Sequence, residues 1–566
     1  MGIGGPGTMT RVTSHDPADE FDEIVDAPVE PDEPEPTGTR LDRWWARRLA
    51  SPLNKRLWDW GGPIAVTLLA AALRLWHLGI PHVLVFDETY YVKDAWTLSH
   101  LGYEGSWVSN PDKAFNAGNA SGWSPDPEFV AHPPLGKWII ALGEHLLGID
   151  SSVGWRLSNA IVGILAVVLI ILIAKKLFHG STLLGCVAGL LMAVDGSAIV
   201  MSRVALLDNM VMFFALLGVG AVLLDRGYRD RRIPRLSGQR PFEAAGSARR
   251  KAPKRLPGPV LWRPWLLAAG LAFGLCSGVK WSGFYFLAVF GVYAVLSDLI
   301  AYRKAGFLGG VEAAAQTVVS FVTMVPIAIA AYIAAWSGWL FTDGGWDRHW
   351  VEQNPAQHAW HGLLSWVPYW AQNLWHYNTE LYGYSINLHA THPYQSNPLW
   401  WTLMLRPTSM YYNPVSDGQN GCTAAQFGCA QAITDLGNPF IWWAGTLALL
   451  GLIYVLIRYR DWRAGLLLTA VGAGWLPWVI LYHGRTIFTF YAIAFEPYLI
   501  LGIVYFAAKA LGRATDSTYR RTRGIVGVAA YLLIVLAASA FFWPIWSGVQ
   551  TSYEFWRAHM WLRSWI

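Results

Sequence analysis

Charged residues are scarce in this chain: only 14% of its 566 residues are Asp, Glu, Lys or Arg, whereas 54% are hydrophobic. A soluble domain carries nearer a quarter charged residues, and a mean hydropathy of +0.30 argues against a globule surrounded by water. Cysteine is scarce too. Four Cys in this length exclude a disulfide-built scaffold, and no CxxC pair suggests a zinc ribbon. No leader-type apolar core precedes the first long apolar run, so the N-terminus is expected to stay in the cytoplasm. No internal repeat of the kind that builds many transporters is evident. The net charge of +5 is no nucleic-acid signal, because the basic residues cluster in short stretches between apolar runs.

What is present is a series of apolar runs near the ~20 residues needed to cross hydrocarbon. Eleven candidate spans lie near 60–80, 155–177, 182–199, 205–224, 264–281, 283–301, 316–338, 438–457, 464–482, 488–508 and 525–546. The stretches 40–56, 175–179, 226–263, 303–304, 458–463 and 509–523 hold 30 of the 43 Lys and Arg. The positive-inside rule puts them in the cytoplasm, and therefore puts 81–153 and 339–437 outside. The sequence thus predicts an all-α integral membrane protein. It is a multi-pass bundle of about 11 helices with two long extracytoplasmic loops containing interfacial helices. The expected divisions are a tail (1–39), an N-terminal transmembrane module (40–338), a second outer loop (339–437) and a C-terminal four-span module with its own tail (438–566). Residues 14–36 hold ten Asp or Glu and no Lys or Arg, and are expected to be disordered.

The outer stretches differ from ordinary connections. Leu135 to Leu147 is apolar but too short to span, and reads as an interfacial helix. Loop 339–437 holds six of the 15 His, namely His349, His358, His361, His376, His389 and His392, among many Trp, Tyr and Asn. Loops this long tend to be functional or disordered, and the aromatic richness argues against disorder. The 33 Trp suit interfacial belts or sugar-stacking surfaces, and composition alone does not separate the two. Cys186 and Cys276 fall in spans and read as packing residues. Cys422 and Cys429 lie in the outer loop with six residues between them, open to a disulfide or to two free thiols.

Asp87 and Glu88 sit just beyond the first span. Carboxylates at the edge of a hydrocarbon slab cost solvation energy and default to a functional reading. Arg156, Arg203, Asp208, Lys280 and Arg485 also fall at outer ends of spans. A ring of cations there suits an anionic headgroup such as a phosphate; the alternative is snorkelling or internally paired structural charge. His132, before Pro133-Pro134, is a candidate hydrogen-bonding group or an incidental member of a rigid turn. No nucleotide-sugar pool exists outside the cytoplasm, so glycosyl transfer there draws on lipid-phosphate donors. It needs a carboxylate to take the acceptor proton, donors for the leaving phosphate, and aromatic surfaces for the sugar. The sequence offers all three, yet these features alone do not select a sugar.

Five segments in order carry a more specific signal. Phe86-Asp87-Glu88-Thr89-Tyr90-Tyr91 is followed by Ala131-His132-Pro133-Pro134-Leu135-Gly136-Lys137 and Ser202-Arg203-Val204-Ala205-Leu206-Leu207-Asp208. Then come Gly274-Leu275-Cys276-Ser277-Gly278-Val279-Lys280-Trp281 and His392-Pro393-Tyr394-Gln395-Ser396-Asn397-Pro398, with Trp400 and Arg406-Pro407-Thr408 beyond. Over roughly 60–546 this series resembles the protein O-mannosyltransferase family of integral-membrane, GT-C type glycosyltransferases. The resemblance implies Asp87 as general base on the Ser or Thr hydroxyl of a polypeptide. It implies Glu88 as a second catalytic residue that supports the site or orients substrate. Tyr91, His132, Lys137, Arg156, Arg203, Asp208, Lys280, His392 and Arg406 are the matching candidates for substrate binding, and Arg485 joins them from its position.

The resemblance also implies a polyprenyl-phosphate-mannose donor and inversion from a β-linked donor to an α-mannosyl product. No cofactor is expected, although an Asp-Glu pair leaves a divalent metal open. Fungal and animal members carry a β-trefoil (MIR) domain in the long outer loop, and 339–437 is too short to hold one. The likeness is therefore to the bacterial branch, which implies a plasma-membrane enzyme acting on secreted proteins, with the export machinery as a candidate partner. Two other readings stay open: a related glycosyltransferase with a lipid or polysaccharide acceptor, and a membrane transporter.

Overall fold

The computed structural model describes residues 38–236, 259–304, 310–423 and 426–566. The expected disorder of 14–36 and the middle of the basic stretch 226–263 lie outside the described residues.

The chain enters through α1 (Arg40–Leu49), which a Thr39–Asp42 capping box starts, and α2 (Pro52–Leu75). The first outer segment holds α3 (Glu88–Leu101), a strand pair β1 (Gly105–Trp107) and β2 (Trp123–Pro127), and α4 (Leu135–Leu147), the short apolar helix expected there. The bundle continues with α5 (Ser152–Leu177), α6 (Thr182–Val194), α7 (Gly196–Arg203), α8 (Asp208–Leu236), α9 (Pro264–Val279), α10 (Gly283–Lys304) and α11 (Gly310–Ala335). In the second outer loop α12 (Tyr369–Ile386) precedes strands β3 (Thr408–Val415) and β4 (Cys429–Asp435). The chain ends with α13 (Pro439–Tyr459), α14 (Trp462–Leu481), α15 (Glu496–Leu511), α16 (Thr518–Ser547), a strand β5 (Gln550–Ser552) and α17 (Tyr553–Ala558).

Every expected span window contains helix, with differences in detail. Among the described residues seven helices are long and apolar enough to cross a membrane, and α6 with α7, bent by 61°, makes an eighth if the pair counts as one span. The other three windows hold α2, which carries Lys55, Arg56, Asp59 and Arg74, and the 16-residue helices α9 and α15. Window 488–508 is not one helix: a 3-10 segment, Thr489–Ala494, precedes α15.

The all-helical expectation also missed two small sheets. β1 and β2 pair antiparallel, and β3, β4 and β5 form a three-stranded antiparallel sheet in that order. β5 comes from the chain's end, so its pairing with β4 leaves no local trace. The Cys422–Cys429 disulfide closes the loop between β3 and β4.

The bundle has two chemically different ends. α5, α10 and α13 carry Lys175-Lys176, Arg303-Lys304 and Arg458 in their last turns. At that end Arg263 reaches Asp225 and, at 3.1 Å, Asp298, binding α8 to α10. The opposite end carries Asp87 and the outer segments. There α4 lies directly on the start of α5: a Cβ on Gly143 would come within 2.2 Å of the Gly154 carbonyl oxygen. That contact admits only glycine, and it fixes the turn bearing Arg156.

Candidate active site

The first functional segment is built around a backbone bend. Phe86 has a φ of +51°, in the left-handed region. A non-glycine residue there costs roughly 1–2 kcal/mol, which ring contacts offset. Phe86 meets Phe488, Phe490 and His392 edge-on, with centroids at 5.5, 5.8 and 5.8 Å. Asp87 follows as the N-cap of α3, half-buried, with Tyr91 one turn on hydrogen-bonding its carboxylate.

Glu88 has a different task. Its side chain is fully buried and accepts four hydrogen bonds. Oε1 receives Arg156 Nε and the Ala205 amide, and Oε2 receives Arg156 Nη2 and the Val85 amide, all at 2.8 Å. Arg156 is equally committed. Its remaining N–H groups donate to the carbonyls of Leu78 (3.3 Å), Pro81 (2.9 Å) and Val83 (2.9 Å). All five guanidinium donors are used, so Arg156 has none for a headgroup, and Glu88 is spent on the scaffold rather than presented to substrate.

Three more expected ligands are spent on structure. Arg203 caps α2, donating to the carbonyls of Trp76 (2.7 Å), Arg74 (3.2 Å) and His77 (3.1 Å). Lys137 is buried between Glu104 and Asp94, the latter at 3.9 Å. Arg406 donates to Pro393 O at 2.9 Å and Ser564 O at 2.6 Å, holding the His392 loop to the chain's last residues. In this structure the side chains of these three and of Arg156 are held by carbonyls and carboxylates of the fold.

The remaining candidates converge. Lys280 Nζ lies 3.0 Å from both carboxylate oxygens of Asp208 and 4.2 Å from the centre of the Tyr491 ring. Lys280, Asp208 and Tyr91 all act on Asp87. Burial lifts the Asp87 carboxyl to about 6, with Asp208 adding to the rise and Lys280 opposing it. The His132 ring packs 5.9 Å from Tyr91. Burial, reinforced by Lys280, Lys137 and Arg485, pulls His132 well below the ordinary imidazole range, so it is a neutral hydrogen-bonding group. His392 lies against Phe488 at 5.0 Å, and its Nδ1 accepts the Tyr394 amide at 3.1 Å.

Arg485 stands apart. Among the described residues its guanidinium makes no side-chain hydrogen bond or ion pair, and its buried Nε lacks a partner. It rests 5.7 Å from the Tyr482 ring. Its charge acts on His132 and Tyr491, and a cation left uncompensated there is an arrangement that an anionic group would complete.

Phe488, Phe490 and Tyr491 line this site and were absent from the expected set. Phe490 and Tyr491 sit on the 3-10 segment and Phe488 caps its start, in a run whose apolar character reads as the start of a span. The aromatic spacing just after Arg485 was the available signal. Among the described residues no three His, Cys, Asp or Glu side chains are grouped to hold a metal ion.

Comparison with known proteins bears on the family and the fold. Residues 64–342 match the family model described as dolichyl-phosphate-mannose-protein mannosyltransferase, and 370–565 match that of the C-terminal four-transmembrane region of protein O-mannosyltransferase. A polyprenol-phosphate-mannose–protein mannosyltransferase of Mycobacterium tuberculosis is 31% identical over 528 residues, covering 91% of this chain and 93% of the relative. Its counterpart in Corynebacterium glutamicum is 29% identical over 490 residues, 85% and 88% of the two chains. The solved Pmt1-Pmt2 complex of S. cerevisiae, bound to its sugar donor, shares the fold with a TM-score of 0.64 at 14% identity, covering 90% of this chain and 92% of that one. The sequence match spans nearly the whole length, and the chain belongs to the protein O-mannosyltransferase family.

Proposed function

We propose that this chain moves mannose from polyprenyl-phosphate mannose to Ser or Thr hydroxyls of polypeptides at the membrane face bearing Asp87. The observation that carries this reading is the half-buried Asp87, its carboxyl lifted to about 6 under the influence of the paired Lys280, with Arg485, which has no ion-pair partner among the described residues, acting on the same Tyr491. A carboxylate near neutrality suits general-base work, because it is ionised at working pH yet basic enough to accept a proton.

The step balances simply. An Asp87 oxygen takes the proton of the acceptor hydroxyl while that oxygen bonds the anomeric carbon. The bond from that carbon to the phosphate oxygen breaks on the opposite face, inverting the centre and leaving a polyprenyl phosphate. Charge grows on the leaving phosphate, and Arg485 and Lys280 stabilise it. Neutral His132 and Tyr91 orient the reacting groups, and Phe86, Phe488 and Phe490 keep bulk water from the activated oxygen. An apolar groove of about 660 Å³ beginning at Trp281, next to Lys280, and running past Tyr332, Trp375 and Tyr382 suits the polyprenyl chain.

The basic helix ends support an outward-facing site opposite them; a bacterial plasma membrane, secreted acceptors and a link to the export machinery belong to the proposal through the likeness to bacterial relatives. The test is transfer of radiolabelled mannose from the lipid donor to a Ser/Thr/Pro-rich peptide by the purified chain. Label on the peptide in the wild type, and none with Asp87→Asn, supports the reading. Retained labelling in the variant removes Asp87 as base.

A further inference from the structure

At the disulfide-closed end of the β3–β4 hairpin lies a second cavity, of about 470 Å³, lined by Tyr412, Pro414, Asp417, Phe427 and Tyr553 among others. Its walls are tied together. The Tyr553 amide donates to Gly428 O at 3.0 Å, Cys429 pairs with Ser552 across the sheet, and Cys422–Cys429 fixes the loop. Its three lining rings join a chain through Trp556, which adjoins them without lining the cavity: Phe427 to Tyr553 at 6.1 Å, Tyr553 to Trp556 at 5.5 Å, Trp556 to Tyr412 at 4.9 Å. Phe427 and Tyr412 stay 62% and 40% exposed, a cost in water that an occupant would remove.

The ring angles say which occupant fits. Successive rings are tilted by 46°, 34° and 53°, giving ridges with furrows between them rather than one flat platform for a sugar ring. Ridged aromatic grooves accept extended, proline-bearing chains, whose preformed shape loses little entropy on docking. The position fits as well. β3 starts at Thr408, two residues after Arg406, whose side chain holds the His392 loop at the reacting site. Its eight residues run to the cavity, about 25 Å at strand spacing.

Resting on the proposed acceptor class, we infer that this cavity is a docking site for the acceptor polypeptide: an extended, Pro-containing stretch about eight residues from the hydroxyl being modified. A segment held there raises the local concentration of the nearby Ser or Thr without touching the chemistry.

Two synthetic peptides test this with the full chain in nanodiscs. One carries a single Thr with three flanking residues on each side. The other adds a Pro/Ala-rich arm of about ten residues on either side. The long peptide is expected to have a KM lower by about tenfold, with equal kcat. Phe427→Ala and Tyr412→Ala, both at exposed positions, are expected to raise the long peptide's KM to that of the short one and to leave the short peptide unchanged. Equal KM for the two peptides in the wild type overturns the inference, as does a fall in kcat or an equal loss on the short peptide. Tightening only when the arm is already mannosylated overturns it in favour of a saccharide site. If neither peptide is labelled while the donor lipid is consumed, the acceptor reading itself fails, a result distinct from all of these.

Discussion

Arg156 grips Glu88 through two parallel hydrogen bonds, Nε to Oε1 and Nη2 to Oε2, each 2.8 Å, with both side chains essentially sealed from solvent. The residues stand 68 positions apart, and the pair joins the loop after α2 to the second span. The adjacent acids thus differ: Glu88 anchors the start of α3, and Asp87 is the one proposed to react.

Glu88→Gln and Arg156→Met are expected to cost stability before they cost chemistry. Removing one partner of a buried bidentate pair leaves the other charge stranded, typically about 3–5 kcal/mol. Thermal melting of the purified protein should fall by many degrees for either variant. The surviving folded fraction of Glu88→Gln should retain measurable turnover. A stable but wholly inactive Glu88→Gln would place Glu88 in the reaction itself.

Asp87→Asn should show the opposite signature, a kcat loss of about 10² or more with the fold intact. The folded carboxyl titrates near 6 rather than 3.8, so its protonated form is favoured by folding. Its contribution to stability is present below 3.8 and is lost as pH rises through 6, a difference of at most ~3 kcal/mol. Asp87→Asn should therefore melt higher than wild type at pH 8 and match it near pH 4. In wild type, kcat/KM should rise with pH and level off above about 6, because the ionised base is the active form. A pH-independent wild-type profile would be incompatible with this assignment.

The helical bundle and the Asp87 motif are legible in the sequence because both are local: apolar runs near 20 residues and a short signature. What the sequence hides is who pairs with whom. Arg156, Arg203 and Arg485 look alike as cations at span ends, yet the first two have their donors committed to Glu88 and backbone carbonyls. Only the fold separates them from Arg485. The 3-10 segment that carries Phe490 and Tyr491 and is capped by Phe488 was hidden for a related reason, since apolar composition does not distinguish a membrane helix from an aromatic site lining. The β4–β5 pairing unites residues more than a hundred positions apart, beyond any local pattern.

Arg485→Ala should act on the donor and leave the fold alone. The guanidinium has no side-chain partner to strand, so melting should change little. A lost charge-assisted contact to phosphate should lower kcat/KM for the lipid donor by about 10². Arg485→Lys should recover part of it, as a point charge without the fork. Wild-type kinetics in Arg485→Ala would mean that the phosphate is held elsewhere.

Lys280 and Asp208 allow structural and chemical roles to be separated in one cycle. Lys280→Met leaves the Asp208 carboxylate buried without its 3.0 Å partner, and should destabilise by about 3–5 kcal/mol. Adding Asp208→Asn removes the stranded charge, so the double variant should melt closer to wild type than Lys280→Met alone. If Lys280 served only to hold α8 to the end of α9, turnover would return with stability. It also acts on Asp87 and is proposed to stabilise the leaving phosphate, so the restored fold should remain at least about tenfold slow. The pH limb of the double variant should also move upward. Without the ammonium nearby, only the Tyr91 hydrogen bond opposes the burial that lifts the Asp87 carboxyl, although loss of the Asp208 charge partly compensates. Recovery of both melting temperature and kcat in the double variant would reduce Lys280 to a structural strut.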